Sequence, residues 1–442
     1  MKTNAKTKLL SIFIKIILIT LFLLIFNTNY AYSENSLPVY STNENLKIYS
    51  DSVIVIENKT GKVLYEKNCN QKMYPASTTK ILTAILAIEK GNLSDKTTVS
   101  RSAIADMKPS YSSADLVEGE VLTVRELLEV LLVHSANDAS NVLAEYVSGS
   151  TSEFVNLMNN KLQELGCTNT HFVTTNGLHD DNHYSTARDM ATIARYCMQN
   201  ATFRKIVAMK KCIIPATNKS EERIYKNTND LIINTSIYYY PGCIGIKTGF
   251  TSQAKNCLIS ACNKNSLQTI AVVLGASVTE NNKSARYADS KTLYDYVYKN
   301  YAFSTIATAN TVAKTIEIDG GTNETKNLDL LLQSDITALV KKDSISNTTP
   351  TITLKDNISA PIAKNKIIGT ATYTIDGEKY TTNLIASHNV EKDITIIGIK
   401  DNKMIIVLRI MLALVILIIL LTFIITMVKH TWIFKIIGLR LH

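Results

Sequence analysis

The chain reads as an α/β (α+β) domain, then a small all-β domain, then one C-terminal transmembrane helix. Three observations predict this. Within residues 46–303, alternating β-prone runs stand at both ends and helical patterns fill the middle, which requires one sheet assembled from distant parts of the chain with helices packed on it. Over residues 308–399, short β-prone runs alternate with turns, the texture of an all-β domain. Finally, Ile410–Val428 carries no charge and is long enough to cross a bilayer.

Taken in order, residues 1–33 read as a secretory signal. Lys2, Lys6 and Lys8 precede an apolar run over 9–26, and Ala31-Tyr32-Ser33 supplies small residues for cleavage after Ala31 or Ser33. The alternative for that run is an uncleaved anchor. Residues 34–45 are polar and read as a linker. Val53–Glu57 and Lys62–Lys67 alternate around Asn58-Lys59-Thr60-Gly61, which predicts a hairpin. Ile81–Ile88 is nearly all apolar and predicts a buried helix. Thr123 and Glu126 have the spacing of a capping box for a helix through Val133. A break at His134–Asn137 precedes a helix from Asp138 to about Val147, closed by Gly149. Further helices are expected over 152–165, 186–199 and 283–300, and paired strands over 256–262 and 268–276.

In the second domain, strands are expected at Ala313–Ile318, Thr349–Leu354, Lys366–Ile375, Tyr380–Ile385 and Ile394–Ile399, with turns at Gly320-Gly321 and Asp376-Gly377. The transmembrane segment spans 405–428. Lys429, Lys435 and Arg440 follow it and suit a cytoplasmic tail over 429–442.

The net charge of +9 invites a nucleic-acid reading, which the charge distribution excludes. Residues 1–33 hold four lysines and no acid; residues 400–442 hold six basic groups and one aspartate. The body between them is neutral, so the excess belongs to the membrane flanks. Seven cysteines, Cys69 to Cys262, are an odd number without CxxC spacing, and are read as free, mostly buried thiols.

The chemistry lies in three short runs: Ser77-Thr78-Thr79-Lys80, Ser135-Ala136-Asn137 and Lys247-Thr248-Gly249. Ser77 and Lys80 are three apart, so a helix puts them on one face. A serine hydroxyl needs a neighbouring base to become a nucleophile. A lysine serves only if its pKa is lowered, by burial and by a second cation, for which Lys247 is the candidate. Other matches are weaker. Ser252–Lys255 lacks an apolar helix after it, Lys59-Thr60-Gly61 sits in a hairpin turn, and two early SxN runs lie at the signal end and in the linker. His171, His179 and His183 with Asp180 and Asp181 could suggest zinc. The polar, turn-like context instead predicts solvated loop histidines and no metal site.

In the order SxxK, SxN, KTG, these runs resemble the serine β-lactamase/DD-peptidase fold. With the surrounding Tyr74–Ile81, His134–Ala139, Asp181–Met190 and Gly245–Thr251, the chain is similar to the D-alanyl-D-alanine carboxypeptidases, the low-molecular-mass penicillin-binding proteins. The likeness is close over about 46–300 and looser to about 398. It implies that Ser77 forms an acyl-enzyme, Lys80 takes its proton, and Ser135 passes a proton to the leaving D-alanine. It implies that Asn137 holds the substrate amide, and that Lys247 and Thr248 bind the terminal carboxylate. Gly249 would leave room along the strand, and the Ser77 and Phe250 N–H groups would form the oxyanion hole. Arg286 either assists with the carboxylate or is a solvated helix charge.

The resemblance implies no cofactor. The substrate would be the peptidoglycan pentapeptide ending in D-Ala-D-Ala, with β-lactam antibiotics as inhibitors. The enzyme would be held to the membrane by the C-terminal helix, catalytic domain on the extracytoplasmic face. Three departures bear on specificity and rate: Asn176 replaces a histidine common before the Gly177-Leu178 turn, Thr228 stands where some relatives carry arginine, and Cys243 lies just before the KTG strand. Other readings are a β-lactamase of the same fold, for which Glu164 lacks the ExxLN pattern, and a non-catalytic wall-binding protein.

Overall fold

The structure, a computed structural model, describes residues 46–281, 283–342, 348–393 and 403–438. The signal, the linker and the Ile394–Ile399 strand read from the sequence lie outside these residues. Two compact units are present: one runs to Ala302 and takes in residues 341–342, and the other begins at Phe303.

The first unit opens with the hairpin β1 (Ser52–Glu57) and β2 (Val63–Lys67), turned at Gly61 with φ +83°. Helix α1 (Lys80–Lys90) follows, buried from Lys80 to Ala87. Next come β3 (Lys96–Thr98), α2 (Arg101–Ile104) and β4 (Val121–Thr123), then α3 (Val124–Val133) and α4 (Asn137–Ser148). The capping box is formed: Thr123 Oγ1 accepts from the Glu126 N–H and Glu126 accepts from the Thr123 N–H. Gly149, at φ +78°, ends α4. Then follow α5 (Thr151–Glu164), α6 (Ala187–Gln199), α7 (Ala201–Val207) and the hairpin β5 (Lys211–Ile214) and β6 (Arg223–Lys226). The chain returns to the sheet through β7 (Cys243–Thr251), β8 (Lys255–Lys264) and β9 (Leu267–Ala276), and closes with α8 (Ala285–Asn300).

The sheet has the order β2-β1-β9-β8-β7, all antiparallel. Its strands read as nearly continuous apolar runs because both faces are covered. Alternation places Ile54, Ile56, Ile259, Ile270 and Val272 in the core shared with the helices α1 and α3–α7. On the opposite side Ser260 meets the Tyr294 hydroxyl at 2.7 Å and Thr269 meets Tyr298 at 2.9 Å, which docks α8.

The second unit holds β10 (Tyr301–Ala307), β11 (Val312–Glu317), β12 (Asn327–Leu332), β13 (Ile336–Lys341), β14 (Thr351–Leu354), β15 (Ile367–Ile375) and β16 (Glu378–Ala386). Five of these form an antiparallel sheet in the order β11-β12-β16-β15-β14, while β10 pairs with β13. Strand β10 occupies residues expected to separate the two domains. Last comes α9 (Lys403–Gly438), which contains the apolar stretch Ile406–Val428. At about 1.5 Å per residue it is long enough to span a bilayer of roughly 30 Å.

Candidate active site

Pro75 leads into a single 3-10 turn, Ala76–Thr79, that carries Ser77 and feeds directly into α1. Ala76 has φ +49° and Ser135 has φ +75°, left-handed values that cost energy in non-glycine residues and concentrate at functional sites. Because α1 is buried, Lys80 at its first position is fully buried as well. Its Nζ lies 2.8 Å from Ser77 Oγ, 2.6 Å from Asn137 Oδ1 and 2.7 Å from the Asn176 carbonyl. The last two atoms can only accept. A neutral amine therefore donates to both and turns its lone pair toward Ser77 Oγ, the one partner able to donate.

Burial lowers the Lys80 pKa far below the ordinary lysine value, the charge of Lys247 lowers it further, and Asp138 partly offsets this. Burial also lowers Lys247, to about 7, with Arg286 contributing.

Seven of the predicted residues line one cleft of ≈ 590 Å³: Ser77, Ser135, Asn137, Thr248, Gly249, Phe250 and Arg286. Lys80 and Lys247 lie buried beside it. Lys247 donates to the Thr248 carbonyl at 3.0 Å, so it reaches the cleft through its charge. Asn137 gives its carbonyl oxygen to Lys80, leaving its amide N–H donors for the cleft. At Gly249 an added Cβ would sit 3.0 Å from both the Ser77 backbone nitrogen and the Pro75 carbonyl, so glycine lets β7 approach the Ser77 turn. Arg286 lies over the Tyr287 ring and reaches toward the Gly249 carbonyl at 3.4 Å. Arg286 therefore lines the cleft wall, where the sequence left a solvated helix charge open.

Several contributors come from outside the three motifs. Thr228 lines the cleft, and its hydroxyl is 2.6 Å from that of Thr248. Asp138 accepts from the Ala114 and Leu116 N–H groups and from Ser113 Oγ, which fixes the loop carrying Ser110–Ser112 into the cleft wall. Glu120 and Arg223 form a buried ion pair behind that loop. Gly177, at φ +82°, packs so tightly on the Ser77 turn that a Cβ would fall 1.9 Å from the Ala76 carbonyl oxygen.

His183 corrects the expectation of solvated loop histidines. His171 and His179 are exposed, but His183 is buried and stacked on Phe172. Its Nδ1 accepts from the Val173 N–H at 3.1 Å, so Nε2 carries the proton and donates to Thr79 Oγ1 at 2.8 Å. Burial pushes its pKa down to about 3. It clamps the 173–177 loop to the Ser77 turn. Of the competing motifs, Ser252 lines the cleft rim but its Lys255 is drawn away to Asp51, and Lys59-Thr60-Gly61 forms the β1–β2 turn. Glu164 is exposed and paired with Lys161 at 2.6 Å.

Comparison with known proteins bears directly on this geometry. Residues 39–278 match the D-alanyl-D-alanine carboxypeptidase family model, and residues 301–392 match that of the penicillin-binding protein 5 C-terminal domain. The chain belongs to the D-alanyl-D-alanine carboxypeptidase family. It is thus a low-molecular-mass penicillin-binding protein of the serine DD-peptidase type. Among relatives in this family, D-alanyl-D-alanine carboxypeptidase DacF of Bacillus subtilis is 36% identical over 346 residues, covering 76% of this chain and 84% of that protein. The carboxypeptidase of Streptomyces sp. strain K15 is 34% identical over 54% of this chain and 84% of its own length. The crystal structure of penicillin binding protein 5 from Haemophilus influenzae superposes with a TM-score of 0.59 at 28% identity, covering 79% of this chain and 100% of that one.

Proposed function

We propose that this member of the family is a serine-type D-Ala-D-Ala carboxypeptidase that removes the terminal D-alanine from peptidoglycan pentapeptides through an acyl-enzyme. The observation that carries this is the Lys80 amine, buried, 2.8 Å from Ser77 Oγ and otherwise bonded only to acceptors. Ser77 attacks the amide carbonyl between the two D-alanines and its proton passes to Lys80. The oxyanion is received by the Ser77 and Phe250 N–H groups. Ser135 delivers a proton to the departing D-alanine, and water then releases the tetrapeptide with Lys80 or Ser135 assisting. Thr248 and Arg286, with the Lys247 charge behind them, receive the terminal carboxylate, which selects a free C-terminus.

A β-lactam presents a similar carboxylate and a strained amide, so it acylates Ser77 as an inhibitor. With Glu164 held by Lys161 outside the cleft lining, the penicilloyl ester has no carboxylate to activate water and persists. The chain acts outside the cytoplasm and is anchored by α9, whose apolar residues Ile406–Val428 are all exposed.

The test measures D-alanine release from a diacetyl-Lys-D-Ala-D-Ala peptide and benzylpenicillin labelling on one preparation. Expected are D-alanine release, one label on Ser77, slow penicillin turnover, and loss of both activities in Ser77→Ala. Label on Ser252, or rapid penicillin hydrolysis without D-alanine release, overturns the reading.

A further inference from the structure

Cys243 opens β7 and Cys262 lies near the end of β8, and the two are register partners across the antiparallel ladder. The register shifts between Cys243 and Gly245, so the pair sits beside a bulge; regular partners have Cα atoms about 4.5–5.5 Å apart and side chains on one face, within the roughly 4.4–6.8 Å that a disulfide spans. Cys243 Sγ lies 3.5 Å from the Gly245 carbonyl oxygen. Cys262 Sγ lies 3.9 Å from the Pro241 carbonyl oxygen, and a Cβ built on Gly242 would stand 3.4 Å from it, so this sulfur faces the segment that delivers Cys243. The neighbouring Cys262 is among the groups that raise the Cys243 thiol, though burial is the larger cause.

No other two cysteines among the described residues are strand partners: Cys257 faces Gly249 and Cys212 faces Tyr225. As residues the two also differ, since Cys243 is partly exposed and Cys262 is buried, although burial pushes the Cys243 thiol up to about 12.

We propose that Cys243 and Cys262 are a modification site: a thiol pair that closes to a disulfide by exchange with an external disulfide. Cys243, in the more exposed of the two residues, loses its proton, which alkaline conditions favour, and attacks the external disulfide. It forms a mixed disulfide and expels one thiol, which takes up a proton. Cys262 then attacks the Cys243 sulfur of that mixed disulfide and expels the second thiol. Two protein thiols are oxidised and one external disulfide is reduced to two thiols, so atoms and electrons balance. The bond staples β7 to β8 four residues ahead of Lys247 and closes the 243–262 hairpin, which restricts the unfolded chain.

The test incubates the purified full-length protein with cystamine, alkylates the remaining thiols, digests without reduction and maps the peptides by mass spectrometry. The expected result is loss of two alkylatable thiols and a peptide pair joined through Cys243 and Cys262. In Cys262→Ser a cysteamine adduct should remain on Cys243, whereas Cys243→Ser should take up none at Cys262. The melting temperature of the oxidised wild type should fall on adding reductant, and that of Cys243→Ser should not move. Two free thiols at these positions after prolonged exposure, or a bridge to Cys257, overturns the proposal. Benzylpenicillin labelling of Cys243→Ser, expected to persist, separates this outcome from failure of the carboxypeptidase reading.

Discussion

Both units have apolar cores, but they differ in the polar groups they bury beside them. The catalytic unit encloses Lys80, Lys247, Glu120, Asp138 and Asp289, whereas the β unit's core is built from residues such as Leu328, Leu330, Leu332 and Ala338. Among its described residues, the one buried polar side chain is Thr382. Burying an ionisable group costs free energy unless partners satisfy it, so a unit that does so repeatedly must hold each one in a specific network. Apart from Thr382, the described core of the β unit is apolar, which stabilises without directing chemistry. Part of that buried charge, Lys80, Lys247 and Asp138, gathers at the cleft, whereas Asp289 ties down the Tyr49–Ser50 segment.

Lys80→Met keeps the length and apolar character of the side chain and removes the base. Acylation by benzylpenicillin should fall by roughly a hundredfold to ten-thousandfold, the usual contribution of a positioned general base. Stopped-flow labelling checks this, and a rate near wild type would remove Lys80 from the mechanism. Leu330→Ala probes the other unit: a cavity there should cost about 2–5 kcal/mol of that unit's stability. Penicillin labelling should remain at the wild-type rate. Urea unfolding followed alongside labelling tests both halves of the contrast.

The third prediction concerns acid. His183 is held neutral with a folded pKa of about 3 against an ordinary value of 6.5. Between these values the unfolded chain binds a proton that the folded chain refuses. The stability tied to this histidine is therefore present above pH 6.5 and lost as pH falls toward 3, by about 1.4 kcal/mol per pH unit. His183→Gln should flatten this slope in the catalytic unit, as read by thermal melts across the acid range. The smallest effect is expected at Thr228→Val, which removes the hydroxyl bonded to Thr248. One hydrogen bond of about 0.5–1.5 kcal/mol should raise KM for a D-Ala-D-Ala peptide severalfold with little change in kcat. Steady-state kinetics decides it.

Much of the framework was legible because its signals are local. The Thr123–Glu126 capping box, the Gly149 stop and the Gly61 turn each depend on atoms within a few residues, and each forms as read. The hairpin β5–β6 escaped notice because each strand is four residues long and pairs chiefly with the other. Yet it carries Arg223, which holds the buried Glu120 behind the cleft wall.

The sequence by itself determined the order of the three motifs, the helical face shared by Ser77 and Lys80, and the apolar helix at the end of the chain. Only the tertiary structure decided how Lys80 is held, by Asn137 57 residues away and by the Asn176 carbonyl 96 residues away. It also decided that His183, 104 residues from Thr79, is a buried clamp and not a solvated loop histidine. The physical reason is range. Helix caps and turns are satisfied by neighbouring backbone groups, whereas the partners of a buried amine or imidazole are whichever polar atoms the packed core brings within about 3 Å, and no local pattern encodes that proximity.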